Sequence, residues 1–291
     1  MDLLERIRLG PVLGDGAMGT MLQARGLKAG SSPDLANLDR PDLVTQIHSA
    51  YREAGADYLE TNTFGANSLK LAAHGLSSRL PDIVARGIDL ARSASGDTCM
   101  VAGSVGPTGL LLEPYGDTPH AKVYDSFAEV GALMDKAGID FFLVETMTDV
   151  SEASIAISAI KAVSSKPVVA TAVFSKGARG YRTIMGTSPG EAALKMTEAG
   201  AELVGTNCCS GIDEAIGIMK DMVSVSHAGT ITQPNAGLPT LREGCLVYPE
   251  DPARMAEGVP DLIRLGVCAI GGCCGTTPAH IRAIAQVLGR F

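Results

Sequence analysis

The sequence lacks three features that would point to a nucleic acid, a membrane or a secreted protein. It has no basic cluster, and its formal net charge of −8 argues against nucleic acid or an anionic membrane surface as a partner. No apolar run approaches the roughly 18 residues of a membrane span. The N-terminal residues do not form a signal peptide. We therefore expect a soluble, cytoplasmic protein with no nucleic-acid or membrane partner.

The sequence also lacks the even cysteine count of a disulfide framework. It has seven cysteines: Cys99, Cys208, Cys209, Cys245, Cys268, Cys273 and Cys274. In a reducing compartment, clustered cysteines are more often metal-binding or catalytic. Adjacent cysteines rarely form a disulfide with each other, because the ring is strained. We expect Cys99 and Cys268 to be structural residues inside strands, Cys245 to lie in a loop, and Cys209 to be a packing residue.

Short apolar segments alternate with helical patterns along the whole chain. The strands are predicted at 11–14, 57–63, 99–104, 140–145, 167–173, 201–207, 229–234 and 266–270, and the helices at 41–55, 82–95, 123–137, 150–163, 189–200, 212–222, 251–265 and from 278 to the C-terminus. Two long loops are expected at 104–125 and 174–188. Eight such units in 291 residues favour an α/β fold, a (β/α)8 TIM barrel over an open sheet. We expect one domain over residues 1–291.

Polar residues and cysteines follow the predicted strands at the end where such barrels bind ligands. Cys273 and Cys274 follow the eighth strand, and a third thiol, from Cys208 or Cys209, follows the sixth. Three thiolates with an open fourth position are typical of a catalytic zinc site. Zinc holds a substrate thiol as thiolate near neutral pH, and thiolate is the nucleophile that a methyl group needs.

Eight segments carry a resemblance to a known family. They are Asp15 to Thr20, Glu53 to Asp57 with Glu60 to Phe64, Gly103 to Pro107, Val144 to Thr146, Gly205 to Cys208, Pro234 to Pro239 and Gly271 to Pro278. The chain resembles the homocysteine S-methyltransferase family, in particular the homocysteine-binding module of cobalamin-dependent methionine synthase. The resemblance implies a barrel with Zn²⁺ on Cys208, Cys273 and Cys274, which form the catalytic site, and homocysteine as the bound thiol.

The resemblance also implies where the amino-acid end of homocysteine is held. Asp15 and the backbone of Gly16 match the family's amino-acid site, and Glu145 matches the acid near the substrate ammonium. Asp15 could instead cap a helix, and Glu145 could form an ion pair at the rim. Glu60, Asn62 and Asn235 are further candidates for substrate contact. For these three, a purely structural hydrogen bond is an equal alternative.

The methyl donor is the open question at this stage. The resemblance favours methylcobalamin carried by a separate corrinoid protein or domain. The alternatives are S-methylmethionine or betaine as donor, or a barrel that moves a methyl group between another small methylated substrate and a corrinoid protein. A non-catalytic zinc- or thiol-binding barrel is a further alternative. The five histidines show no ligand spacing, and we expect His48 and His280 to be surface or hydrogen-bonded residues.

Overall fold

The computed structural model describes residues 2–28, 30–242 and 245–291. Eight parallel strands form one sheet: β1 (Val12–Leu13), β2 (Tyr58–Glu60), β3 (Met100–Val105), β4 (Phe141–Met147), β5 (Val168–Ala172), β6 (Leu203–Asn207), β7 (Gly229–Gln233) and β8 (Ala269–Ile270). From β2 to β8 each strand pairs with the next strand in the chain, and β8 pairs with β1. The seam between β1 and β2 is bridged where the Asp57 N–H donates to the Leu13 carbonyl at 2.7 Å. The predicted (β/α)8 barrel is confirmed.

Helices follow the strands and cover the outside of the sheet. The main helices are Pro41–Glu53, Leu80–Ser95, His120–Ala137, Val150–Val163, Pro189–Glu198, Ile212–Val223, Pro252–Glu257, Val259–Arg264 and Pro278–Val287. Shorter α-helices are Leu3–Ile7, Gly19–Ala24, Ala36–Asp39 and Ser68–Ala72, with 3₁₀ turns at Pro33–Leu35 and Ser77–Arg79. The predicted single helix at 251–265 was wrong, since it is two helices. Gly258 separates them, and Pro260 lies in the first turn of the second, where its missing N–H costs no hydrogen bond.

Two antiparallel hairpins extend from loops at the ligand-binding end. Ser175–Gly177 pairs with Gly180–Arg182, so the predicted loop at 174–188 contains a hairpin. Thr240–Arg242 pairs with Cys245–Val247, so Cys245 begins a strand rather than lying in a loop. The expectation for Cys99 and Cys268 was also wrong, because each lies one residue before its strand. The strands next to Cys268 and at Cys245 have only two and three residues, too few for a period-two pattern to mark their ends.

Apolar side chains form two cores, one between sheet and helices and one inside the barrel. The inner core consists of Leu3, Val12, Tyr58, Ala102, Phe141, Leu143, Val169, Leu203, Ile231 and Ala269. Leu3 belongs to the N-terminal helix, which therefore packs against the inner core with its buried side. In the described part of the chain, every helix is too short or too polar to cross a bilayer. The barrel is thus a packed scaffold whose ligand end is free to carry a site.

Candidate metal and substrate site

The inward-facing side chains change from apolar to polar towards the C-terminal ends of the strands. Successive side chains of a strand point to opposite faces, so residues two positions beyond the inner core also face inward. Those positions include Glu60 after Tyr58, Glu145 after Leu143 and Gln233 after Ile231. Asn207 lies four residues beyond Leu203, and Gly205 lies between them on the same face of the strand. A layer of polar groups therefore sits directly on the apolar core.

Three cysteines meet at this end of the barrel. The Sγ atoms of Cys208, Cys273 and Cys274 all lie within 4.8 Å of one another, and those of Cys208 and Cys274 are 3.9 Å apart. Tetrahedral zinc with bonds of about 2.3 Å requires sulfurs about 3.8 Å apart. The donor set therefore fits a soft metal after only a small contraction. Among the residues that the structure describes, this is the one cluster of metal-binding side chains.

Hydrogen bonds among the three thiols change their pKa values in opposite directions. Hydrogen bonds from Cys208 and Cys273 lower the pKa of Cys274 to about 3. Hydrogen bonds with Cys208 and Cys274, together with burial, raise the pKa of Cys273 well above its usual value. Because the three sulfurs lie so close together, ionisation of more than one of them is unfavourable unless a cation lies beside them. Metal binding at such a site releases protons and weakens as the pH falls.

The backbone around the cysteines is fixed by tight local geometry. Cys208 adopts φ 56°, a left-handed conformation that costs a non-glycine residue about 1–2 kcal/mol. The Asn235 side-chain amide donates to the Cys208 carbonyl at 3.2 Å. Gly275, at φ +80°, has no room for a side chain, because a Cβ there would lie 2.1 Å from the Tyr248 ring. These contacts hold the two cysteine segments at fixed positions on the rim.

Three carboxyl groups lie at this end of the barrel, where Asp15 and Glu145 are buried and Glu60 is partly buried. None of the three forms an ion pair with a cation among the described residues. Burial raises the pKa of Glu145 to about 7, against opposing hydrogen bonds from Ser104 and Thr146. Burial, together with the charges of Glu145 and Asp15, raises the pKa of Glu60 well above its usual value. The pKa of Asp15 is raised well above its usual value, chiefly by burial. A bound cation would stabilise the ionised form of these carboxyl groups, so the site favours a positively charged group.

The predicted substrate residues occupy different places. Glu60, Asn62 and Glu145, with Gly16, line a cavity of about 320 Å³ that also exposes the three cysteines. Asp15 lies beneath it and accepts a hydrogen bond from the Glu60 N–H at 3.1 Å, which ties β1 to β2. The helix Gly19–Ala24 has Met18 at its N-cap, so Asp15 is not a helix cap. In the described chain, Asn235 is not part of the cavity wall.

Some of these residues also have structural partners. Asn62 donates to the Pro33 carbonyl at 2.7 Å and to Asn37 Oδ1 at 3.0 Å. Gly16 is required because a Cβ would lie 2.6 Å from Thr276 Oγ1. The Gln233 amide donates to the Glu60 carboxyl. The roles of Asp15, Gly16, Glu60, Asn62, Glu145 and Asn235 towards substrate stay predictions.

Asn207 and Thr146 form contacts at the site that the sequence pattern did not predict. Asn207 is fully buried and hydrogen bonds to Glu145, Thr146 and Thr171. Thr146 adopts φ 61°, and together with Cys208 it is one of two non-glycine residues with positive φ among those described. The available signal was the period-two register, which puts Asn207 on the inner face of its strand. The conformation of Thr146 had no signal in the sequence.

Other singled-out residues lie outside this cluster. Cys209 is buried, and its thiol points to the Gly211 carbonyl, as expected of a packing residue. His280 is hydrogen-bonded at both ring nitrogens. The expectation for His48 was wrong, since it is fully buried and neither ring nitrogen has a hydrogen-bond partner in the described part of the structure. The reason is its position on the buried face of the helix Pro41–Glu53.

Similarity to known proteins extends over the whole chain. The family model for homocysteine S-methyltransferase matches residues 12–288. The methionine synthase of Mycobacterium tuberculosis (strain ATCC 25618 / H37Rv) is 34% identical, over 100% of this chain and 26% of that protein. Betaine--homocysteine S-methyltransferase 1 of Rattus norvegicus is 33% identical, over 98% of this chain and 74% of that protein.

A solved structure shows the same fold. The metallated form of the homocysteine methyltransferase MmuM from Escherichia coli superimposes with a TM-score of 0.79 at 23% identity, covering 95% of this chain and 96% of that one. The chain spans only about a quarter of the length of the mycobacterial methionine synthases that it matches. The match to the family model nevertheless extends over nearly the whole barrel. The chain belongs to the homocysteine S-methyltransferase family.

Proposed function

We propose that this chain is a zinc-dependent methyltransferase that transfers a methyl group to the thiol of homocysteine and gives methionine. The observation that carries the proposal is that three cysteine sulfurs lie within 4.8 Å of one another on the wall of a cavity. The carboxyl groups of Glu60 and Glu145 line the same cavity. Sulfur ligands and an acidic wall match the two ends of homocysteine, a thiol and an ammonium.

Each part of the cavity has a distinct task in this proposal. Cys208, Cys273 and Cys274 hold the metal, and zinc there would supply the Lewis acidity that keeps a substrate thiol ionised near neutral pH. Glu145 accepts the substrate ammonium, and the backbone at Gly16 faces the substrate carboxylate. The positioned thiolate then takes the methyl group from the donor, which leaves with the bonding electron pair.

We further propose that the donor is a methylcorrinoid on a separate protein or domain. A cavity of about 320 Å³ has room for homocysteine but not for a corrinoid, which must therefore approach from outside. Loops at the mouth expose apolar side chains: Leu110, Leu111 and Tyr115 after β3, and Leu238, Leu241 and Leu246 after β7. Exposed apolar patches of this kind suit a protein partner. The match of the whole chain to about a quarter of a methionine synthase supports the same donor.

Betaine is the second candidate donor, because the rat betaine enzyme is nearly as similar in sequence. The cavity gives less support to it. A quaternary ammonium group is usually held by several aromatic faces. Phe64 is the one aromatic side chain among the described residues of the cavity wall, and the sequence has no tryptophan.

The donor assay tests both parts of the proposal. Zinc-loaded protein is incubated with homocysteine and, in separate reactions, methylcobalamin, a methylated corrinoid protein, S-methylmethionine and betaine. We expect methionine with the corrinoid donors and little with betaine. Methionine from betaine or S-methylmethionine alone would overturn the corrinoid proposal, and no methionine from any donor would overturn the activity.

A cytoplasmic location, which would keep the thiols reduced, also stays a prediction.

A further inference from the structure

Strand β4 contains a bulge at the point where it presents Glu145. Val144 pairs with Ala170 of β5, but the next paired residue, Met147, lies opposite Ala172. Three steps along β4 therefore match two steps along β5, which leaves one extra residue at Glu145–Thr146. Alternation from Leu143 already puts Glu145 on the inner face, and the bulge bends the backbone just beyond it, which sets the final position of its carboxyl group. Here the Glu145 carboxyl lies on the cavity wall beside the cysteines.

The bulge depends on an unfavourable backbone conformation. Thr146 adopts φ 61°, which glycine accepts freely but which a β-branched residue rarely adopts. Such conformations persist only when neighbouring contacts hold them. The Thr146 N–H has its strand partner replaced by side-chain acceptors, chiefly Asn207 Oδ1 at 2.9 Å.

The side chain of Asn207, the last residue of β6, forms hydrogen bonds with both residues of the bulge. Its Oδ1 accepts from the Thr146 N–H, and its Nδ2 donates to Thr146 Oγ1 at 2.7 Å and to Glu145 Oε2 at 3.2 Å. The same Nδ2 lies 3.9 Å from Cys273 Sγ. One amide thus links the strained residue, the acidic group and a metal-binding sulfur.

We propose that Asn207 is a positioning residue that fixes the β4 bulge, so that Glu145 faces the substrate ammonium at a set distance from the metal-bound thiol. The inference rests on the proposed function, because it assigns the ammonium to Glu145. Asn207 gives the site its selectivity for an amino-acid thiol over a plain thiol.

The test compares homocysteine with 4-mercaptobutyrate, which has the same thiol and carboxylate but no ammonium. Affinities for zinc-loaded protein are measured by calorimetry, and zinc content and melting temperature are recorded for each variant. We expect Asn207→Ala to reduce the preference for homocysteine at least about tenfold, the cost of losing a well-placed charged hydrogen bond. Thr206→Val is the matched control, since Thr206 is the buried neighbour and donates to the Ala172 carbonyl instead.

Relief of the strain separates positioning from simple packing. In a Thr146→Gly background the positive φ is not strained, so the bulge does not depend on Asn207. We expect the loss of preference caused by Asn207→Ala to be at least about threefold smaller in this background than in the unmodified protein. Thr146→Val keeps Asn207 but removes the hydroxyl that it contacts. It should also lower the preference, which provides the test if Asn207→Ala loses zinc or fails to fold.

Three results would overturn the inference. The first is an equal loss of affinity for both thiols in Asn207→Ala, and the second is the same loss of preference with and without Thr146→Gly. The third is an unchanged preference in both Asn207→Ala and Thr146→Val. If the unmodified protein binds both thiols equally well, the assignment of the ammonium to Glu145 fails as well.

Discussion

The Sγ atoms of Cys208 and Cys274 lie 3.9 Å apart, although 66 residues separate them in the sequence. The barrel brings them together because β6 and β8 both end at the same rim. The chain segment between them contains β7, whose end supplies Asn235 to fix the Cys208 carbonyl. The metal-binding geometry is therefore a property of the closed sheet rather than of a local sequence motif.

Removal of the Cys273 sulfur should weaken metal binding strongly, whereas removal of the Cys209 sulfur, which lies next to Cys208 but outside the cluster, should not. Cys273→Ser replaces a thiolate with a much poorer zinc ligand, so we expect at least about a tenfold loss of zinc affinity and loss of methyl transfer. Zinc content after dialysis against a competing chelator measures this. Cys209→Ser is the matched control, because Cys209 points to the Gly211 carbonyl. Retention of zinc in Cys273→Ser, or equal loss in both variants, would contradict the assignment.

Glu145→Gln should weaken homocysteine binding without removing the metal. The amide keeps the size of the side chain but cannot form a charge-assisted pair with an ammonium. We expect the KM for homocysteine to rise about 10- to 100-fold, with a smaller change in kcat and unchanged zinc content. Steady-state kinetics at saturating donor measure this. A KM equal to that of the unmodified protein would show that the ammonium binds elsewhere.

The same carboxyl predicts a pH dependence near neutrality. Burial raises the pKa of Glu145 to about 7, so the free site loses its negative charge as the pH falls below that value. Only the carboxylate pairs with an ammonium, so the KM for homocysteine should rise up to about tenfold per pH unit below pH 7. Glu145→Gln should lose this dependence. Zinc content at each pH serves as the control, and identical pH profiles for both proteins would exclude Glu145 as the titrating group.

His48 predicts a loss of stability in mild acid. Burial lowers its pKa from 6.5 to about 4. Between these values the unfolded chain binds a proton that the folded protein does not, so the free energy of unfolding falls as the pH drops through this window, by about 3 kcal/mol in all. His48→Leu should therefore gain stability over the unmodified protein as the pH falls from 7 to 5, measured by urea unfolding. His74→Leu at an exposed position is the control. A difference that does not change with pH would contradict this.

Much of the site could be predicted because strand ends in a barrel share one rim. Alternating apolar and helical segments predicted all eight barrel strands, and this put Cys208, Cys273 and Cys274 at the same end. The prediction of individual polar roles went less far. Asn235 was a candidate for substrate contact with a structural hydrogen bond as an equal alternative, and its amide donates to the Cys208 carbonyl. A residue type at a strand end indicates the rim but not the partner of its side chain.

The contacts that the sequence could not predict are long-range and conformational. Asn207 and Thr146 are 61 residues apart, and their hydrogen bonds depend on how β4 and β6 are placed across β5. The bulge at Glu145–Thr146 has no glycine to mark it, since threonine carries the positive φ. His48 lies on a helix face that its neighbours bury, and helical spacing alone does not show which polar residue goes with that face.

We propose that zinc on the three cysteines keeps one coordination position for the substrate sulfur. X-ray absorption at the zinc edge, recorded on the zinc-loaded protein with and without homocysteine, measures the number of sulfur ligands directly. We expect three sulfurs from Cys208, Cys273 and Cys274 and a light-atom ligand in the free protein, and four sulfurs at about 2.3 Å when homocysteine is bound. A sulfur count that does not change on addition of homocysteine would contradict it.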